Sequence, residues 1–209
     1  MKAPELTSSI RLLLPAIARD FFDLLAERNL PGADLTILFT DIDGYTATTE
    51  RLGDRGAQAL VRAHDRIVRS ALSLHGGREV KHTGDGIMAF FTCAASAVDC
   101  ALEIQTKTEA YNRVRKREPL KVAIGLNSGS PIREGGDLHG TPVIVAARAV
   151  DLAAGGEVVV TDVVRQLTAG KGLQYDALPE ITLDGFSEAA SLYRVSRQGE
   201  RLALTDDGI

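Results

Sequence analysis

Apolar and polar positions along this chain alternate in blocks whose period switches between that of a helix and that of a buried strand. Residues 8–29 carry Ile10, Leu13, Leu14, Ile17, Phe21, Leu24 and Leu25 at helical spacing. They predict an amphipathic helix that starts near or kinks at Pro15, ends at Pro31-Gly32, and packs on its own domain or on a second copy. A strand follows at 35–40, then a helix from about 54 to 75, opened by Asp54 and closed by Gly76-Gly77. Strands at 78–82 and 86–91 flank Asp85-Gly86, a hairpin-turn dipeptide. Thr92 caps the next helix, which runs to about 113. A strand at 120–127 leads into the loop Ser128 to Thr141, and Pro142 suits the first turn of a helix reaching about Ala153. A strand at 157–160, a short helix from Asp162 and two or three late strands ending at Leu192–Val195 complete the pattern. The order β-α-β-β-α-β through residue 127 is that of a ferredoxin-like unit. The expected fold class is therefore α+β: a ferredoxin-like βαββαβ core with additional C-terminal strands and helices, preceded by the N-terminal amphipathic helix.

Composition narrows the function classes. A chain of 209 residues suffices for one domain with a sizeable core plus a modest extension. Apolar residues at 44% and charged residues at 25% describe an ordinary globular protein. A net charge of −4 and an aromatic content of 5% argue against a nucleic-acid binder. Nothing resembles a signal peptide and no apolar run is long enough to span a bilayer, so the expected location is the cytoplasm, without a membrane segment. Cys93 and Cys100, seven apart in a predicted helix, share a face and read as small core filler.

Two stretches carry the candidate chemistry. Leu35 to Asp41 and Val80 to Asp85 each read as an apolar run forming a buried strand that ends on an aspartate next to a glycine-containing turn. Either aspartate alone is a turn residue. Two on neighbouring strands suit a hard divalent cation, which points to phosphoryl or nucleotidyl transfer. Gly44-Tyr45-Thr46 follows and leads into a helical stretch, where N–H groups could receive phosphate oxygens or simply turn the chain. Lys81, four residues before Asp85 on the same side of a strand, is either a solvated edge charge or a donor to a polar ligand. Asp137 sits in the flexible loop Gly135-Gly136-Asp137-Leu138-His139-Gly140. Arg148 closes the apolar run Val143-Ile144-Val145-Ala146-Ala147, where it could pair structurally or neutralise a transferring phosphoryl group. His64, His75, His82 and His139 lack metal-ligand spacing and read as non-ligands. There is no Walker loop and no Ser–His–Asp or Cys–His signature.

Taken together, Phe39-Thr40-Asp41-Ile42-Asp43-Gly44-Tyr45-Thr46, Lys81-His82-Thr83-Gly84-Asp85-Gly86, and Asp137-Leu138-His139-Gly140 followed by Ala146-Ala147-Arg148 resemble the class III nucleotidyl cyclase catalytic domain, in its compact bacterial type. The resemblance covers residues 33–196, leaving 1–32 as an N-terminal helical extension and 197–209 as a tail. It implies a homodimer with active sites at the subunit interface and two Mg²⁺ or Mn²⁺ ions per site. Asp41, Asp85 and the Ile42 carbonyl of one subunit would hold the metals, and Asp43, Gly44, Tyr45 and Thr46 would cradle the triphosphate. Lys81 and Asp137 of the other subunit would read adenine, which favours ATP, because guanylyl cyclases usually carry glutamate where this chain has Lys81. Arg148 would stabilise charge on the α-phosphate while the 3′-hydroxyl attacks it and pyrophosphate leaves. The implied function is an adenylate cyclase making 3′,5′-cyclic AMP for intracellular signalling. Two positions depart from the pattern: Ile144 stands where asparagine is usual, and Asp184 near a usual lysine. They imply low activity, or the alternative of a degenerate domain that binds nucleotide or dimerises as a regulatory module. A cyclase for another nucleotide is a further alternative, because His82 and Thr83 also differ from the commonest residues.

Overall fold

β1 (Leu35–Ile42) is apolar at most positions and buried along nearly its whole length, which requires cover on both faces. It pairs antiparallel with β3 (Ile87–Phe91) on one side and β4 (Val122–Gly129) on the other. β2 (Arg78–His82) adds to the far side of β3. β4 continues in parallel to β7 (Val158–Thr161), and then antiparallel come β11 (Leu192–Arg197) and β8 (Leu173–Ala177). The seven-stranded order is β2-β3-β1-β4-β7-β11-β8. With α1 (Tyr45–His75) between β1 and β2, and α2 (Ala94–Val114) between β3 and β4, the first four strands form the expected βαββαβ unit. The computed structural model describes residues 34–116, 118–182 and 189–199. The helix expected at 8–29, Asp184 and most of the expected tail lie outside the described residues.

Alternation along β1 divides the core in two. Leu38 and Ile42 join Ile87, Ala89, Phe91 and Ile124 against Leu60, Ala63 and Val68 of α1 and Ala97, Ala101 and Ile104 of α2. Leu35, Ile37, Phe39 and Met88 join the opposite cluster, with Ala146 and Val150 of α3 (Thr141–Asp151). Thr40 therefore belongs to the α1/α2 face of the sheet, and Asp41 to the α3 face. The approach of α3 depends on Gly125 of β4, where a Cβ would lie 2.2 Å from the Val150 nitrogen. Past β7, the short helix α4 (Asp162–Leu167) buries Val164 in the first cluster. β9 (Ile181–Thr182) and β10 (Ala189–Ala190) pair with each other.

Four strands, β8 to β11, follow α4 where two or three were expected, and the elements differ from expectation at four further places, each for a local reason. The first helix begins at Tyr45 rather than near Asp54, because Gly44 and Gly53 both take left-handed φ values: one starts the helix and the other kinks it. Cys93, not Thr92, precedes α2 and makes no side-chain cap hydrogen bond, and it is exposed, so only Cys100 fills the core. The stretch expected as a loop around Asp137 is a small hairpin, β5 (Ile132–Glu134) with β6 (Asp137–His139), turned by Gly135 and Gly136 with φ of 59° and 81°. β2 is an edge strand of mixed exposure rather than a buried one.

Gly125→Ala should overpack the β4–α3 contact and cost about 1–3 kcal/mol. Urea denaturation reads this directly, and an unchanged midpoint would mean that α3 is not seated on β4 at this distance.

Candidate active site

Asp41 is the penultimate residue of β1, and the turn Thr83–Gly86 brings the Asp85 carboxyl within hydrogen-bonding reach of it. Backbone packing makes that approach possible. A Cβ on Gly86 would lie 1.9 Å from the Thr40 carbonyl oxygen and 2.9 Å from Thr83 Oγ1, so the turn can press against β1 only with glycine there. The Thr83 N–H donates to the Gly86 carbonyl at 2.9 Å and closes the turn. The turn differs from a two-residue Asp-Gly hairpin: Gly84 carries the positive φ, at 101°, and β3 starts at Ile87. Asp85 consequently sits in the turn and not at the end of a strand, so Lys81 and Asp85 do not share a strand face.

Burial, and after it the Asp85 charge, push the Asp41 carboxyl up from an ordinary 3.8 to about 6. Asp151 at the end of α3 pushes the same way, while the Ile42 N–H partly opposes them. Two carboxyl groups so placed resist ionising together unless a cation lies between them. Among the described residues no three His, Cys, Asp or Glu side chains gather around a metal-sized site. Mg²⁺, however, is commonly held by one or two carboxylates, with substrate phosphates and water completing its shell. The donor set of Asp41, Asp85 and the neighbouring Ile42 carbonyl fits an ion that arrives with a polyphosphate.

Past β1 the chain turns through Asp43 and Gly44 into α1, with Gly44 left-handed at φ 69° and ψ 27°. First-turn N–H groups of a helix lack intrahelical acceptors, which makes this end a place for anionic oxygens. Asp43 serves the scaffold: its N–H donates to the Lys121 carbonyl at 3.0 Å, and its Oδ2 accepts from the Gly155 N–H at 3.3 Å. A phosphate cradle over Asp43 to Thr46 would therefore draw its N–H donors from Gly44, Tyr45 and Thr46, because the Asp43 N–H already has an acceptor. Tyr45 also lines, with Thr49, Asp54, Arg55 and Gln58, an open cavity of about 350 Å³ at the Gly53 bend.

Lys81 and Asp137, distant in sequence, meet: Lys81 Nζ donates to Asp137 Oδ2 at 2.6 Å between β2 and β6. That contact, then the Leu138 N–H, hold the Asp137 carboxyl below its usual range. Arg148, on α3, donates through Nη1 to Asp151 Oδ2 at 3.1 Å, while its Nε is buried and without a hydrogen-bond partner among the described residues. Ile144 stands one turn before it, 48% exposed. His139 Nε2 lies 3.9 Å from Asp137 Oδ2, beside the Lys81 contact. His64 and His82 form a buried-to-surface chain with Thr40 and Asp65 that the spacing argument passed over. The available signal was His64 itself, a polar residue in the inward row of a helix that otherwise presents Leu60, Ala63 and Val68.

The family model for the adenylate and guanylate cyclase catalytic domain matches residues 30–196. The putative adenylate cyclase 3 of Rhizobium meliloti (strain 1021) is 33% identical over 149 residues, covering 70% of this chain and 25% of that protein. The serine/threonine-protein kinase pkn2 of Myxococcus xanthus is 27% identical over 168 residues, covering 80% of this chain and 20% of that protein. The chain thus spans between a fifth and a quarter of the length of these two relatives. The crystal structure of an adenylate/guanylate cyclase/hydrolase from Silicibacter pomeroyi matches with a TM-score of 0.69 at 29% identity, covering 78% of this chain and 96% of that one. Among the described residues no helix is long and apolar enough to cross a membrane. On the extent of the family match and the fold that carries it, the chain belongs to the adenylate and guanylate cyclase catalytic domain family.

Proposed function

We propose that this chain is an adenylate cyclase that converts ATP to 3′,5′-cyclic AMP and pyrophosphate, acting in intracellular signalling as a homodimer with its active sites at the subunit interface. The observation that carries the reading is the Asp41–Asp85 pair, held together where a polyphosphate could meet the start of α1. Asp41, Asp85 and the Ile42 carbonyl would hold two Mg²⁺ or Mn²⁺ ions. When bound, the ions supply charge neutralisation for the phosphates and a lowered pKa for the attacking hydroxyl. Gly44, Tyr45 and Thr46 receive phosphate oxygens through their N–H groups. Lys81 and Asp137, from the partner subunit, receive the base. Lys81 donates to an adenine ring nitrogen and Asp137 accepts from the exocyclic amine. Guanine presents an oxygen in place of that amine, and so would leave the pair mismatched. Their mutual hydrogen bond supports this reading, because it places donor and acceptor side by side, as adenine's edge requires. Arg148 leaves Asp151 and stabilises charge on the α-phosphate.

One observation favours a second reading. Ile144, exposed one turn before Arg148, has no side-chain hydrogen bond to offer where the family usually has asparagine. The chain would then be a regulatory module that binds nucleotide or dimerises without turnover.

Chromatography of products after separate incubations with ATP, GTP, CTP and UTP plus Mn²⁺ tests the two readings. Cyclic AMP from ATP alone, abolished in Asp85→Ala, is the expected outcome. No cyclic product from any of them, with nucleotide-dependent thermal stabilisation retained, would favour the regulatory module. Restoring the missing donor with Ile144→Asn should raise turnover by on the order of 10²–10³ if that position limits the rate.

The raised Asp41 value has its own consequence for the metal-free protein. The folded state binds this proton more tightly than the unfolded chain, so stability falls as pH rises from about 4 through about 6. Without metal at pH 7, Asp41→Asn should therefore melt above wild type, with the gap closing towards pH 4. Mn²⁺ should stabilise wild type and not the variant. A wild type that melts higher at pH 7 without metal would contradict this.

A further inference from the structure

A buried polar chain runs beneath the two carboxylates, on the opposite face of β1. Thr40 precedes Asp41 on β1 and enters the opposite face of the sheet, where it meets α1. His64 of α1 is 0% exposed, with Nε2 2.9 Å from Thr40 Oγ1 and Nδ1 3.1 Å from Asp65 Oδ1. Burial depresses its pKa, so the ring is neutral at pH 7.

The direction of each bond follows from the donors available. Asp65 is held below its usual range: burial raises it, but hydrogen bonds from His82 and His64 outweigh that, so it is an acceptor only. His64 Nδ1 therefore carries the proton, and Nε2 accepts from the Thr40 hydroxyl. Thr40 Oγ1 in turn accepts the Ile87 N–H at 3.0 Å. The outer end is anchored by His82 Nε2 and Arg69 Nη1, at 3.0 Å and 3.4 Å from the Asp65 carboxylate.

Ile87 lies two residues after Asp85, and Thr40 one before Asp41. The chain thus ties the backbone that carries one carboxylate to the backbone that carries the other, across the contact where Gly86 meets the Thr40 carbonyl. A leucine would fill the same core volume without needing a partner. A buried imidazole is costly to place, and with both nitrogens hydrogen-bonded it stiffens the groups it joins.

We propose that His64 is a positioning residue for the cation site: acting through Thr40 and the Ile87 N–H, it holds Asp41 and Asp85 at the separation that a shared cation needs, with its tautomer set by Asp65. This rests on the reading of Asp41 and Asp85 as cation ligands. His64 touches neither nucleotide nor ion, and its effect passes through the backbone.

The test is Mn²⁺ binding to the full chain, read from free Mn²⁺ by electron paramagnetic resonance with 3′-deoxy-ATP present, which lacks the attacking hydroxyl. Thr40→Val keeps the shape and removes the hydroxyl. It should weaken Mn²⁺ binding by roughly 10- to 100-fold, as loss of a supporting hydrogen bond around metal ligands does. Thr40→Ser keeps the hydroxyl and should bind close to wild type. A role in packing alone predicts the reverse order. A folded Thr40→Val that binds Mn²⁺ like wild type overturns the proposal. Should Thr40→Val not fold, His64→Gln and His64→Leu decide: glutamine can still accept from Thr40 and should bind Mn²⁺ more tightly than leucine, and equal affinities overturn the proposal. If wild type binds no Mn²⁺, or Asp85→Ala binds it as tightly as wild type, the cation reading itself has failed and the positioning role falls with it.

Discussion

Asp41 and Asp85 repel each other, and the backbone holds them together regardless. Strand β1 fixes one, and a four-residue turn fixes the other. The turn reaches β1 because Gly86 has no side chain to keep it off the Thr40 carbonyl. The price of this arrangement appears as the raised Asp41 value, which reflects burial first and the neighbouring carboxylate second. A site that resists its own ionisation is primed for a cation, because the ion relieves a repulsion that the fold has already built in.

The rest of the sheet serves that geometry. β1 lies between β3 and β4, so both of its faces are covered and its end cannot drift. The α1/α2 face carries Thr40 and the chain to His64, while the α3 face carries Asp41 and brings Asp151 and Arg148 to the same end of the sheet. Gly125 lets α3 settle on β4, which places Arg148 relative to that end. At the other edge, β2 and the β5–β6 hairpin bring Lys81 and Asp137 into contact. The Asp41–Asp85 pair and the Lys81–Asp137 pair thus occupy different parts of one chain, an arrangement that suits the proposed sharing of each site between two copies.

Much of this was legible in the sequence because it rests on period and composition. The mostly apolar β1, the helical stretches of α1 from Asp54 onward and of α2, and the Asp-containing junctions follow from local patterning, and the βαββαβ order follows from theirs. What was not legible depends on contacts between distant residues. The Lys81–Asp137 hydrogen bond joins positions 56 apart, and no spacing rule pairs them. The Asp85-Gly86 turn looked like a two-residue hairpin, but tertiary contact with Thr40 decided the role of Gly86, and the positive φ went to Gly84. Asp137 looked mobile because glycines flank it, yet those glycines turn a hairpin. His64 lacks metal-ligand spacing, and nothing local in the sequence marks its hydrogen bond to Thr40. Its function in the fold is to satisfy Thr40, which only the packing of α1 on β1 reveals.

The most direct measurement is the titration of the Asp41 carboxyl carbon by ¹³C NMR, first without metal and then with Mg²⁺. If the two carboxylates are held together awaiting a cation, the metal-free midpoint lies near 6, and Mg²⁺ moves it well below the ordinary carboxylate value. A midpoint near 4 that Mg²⁺ does not shift would contradict the account.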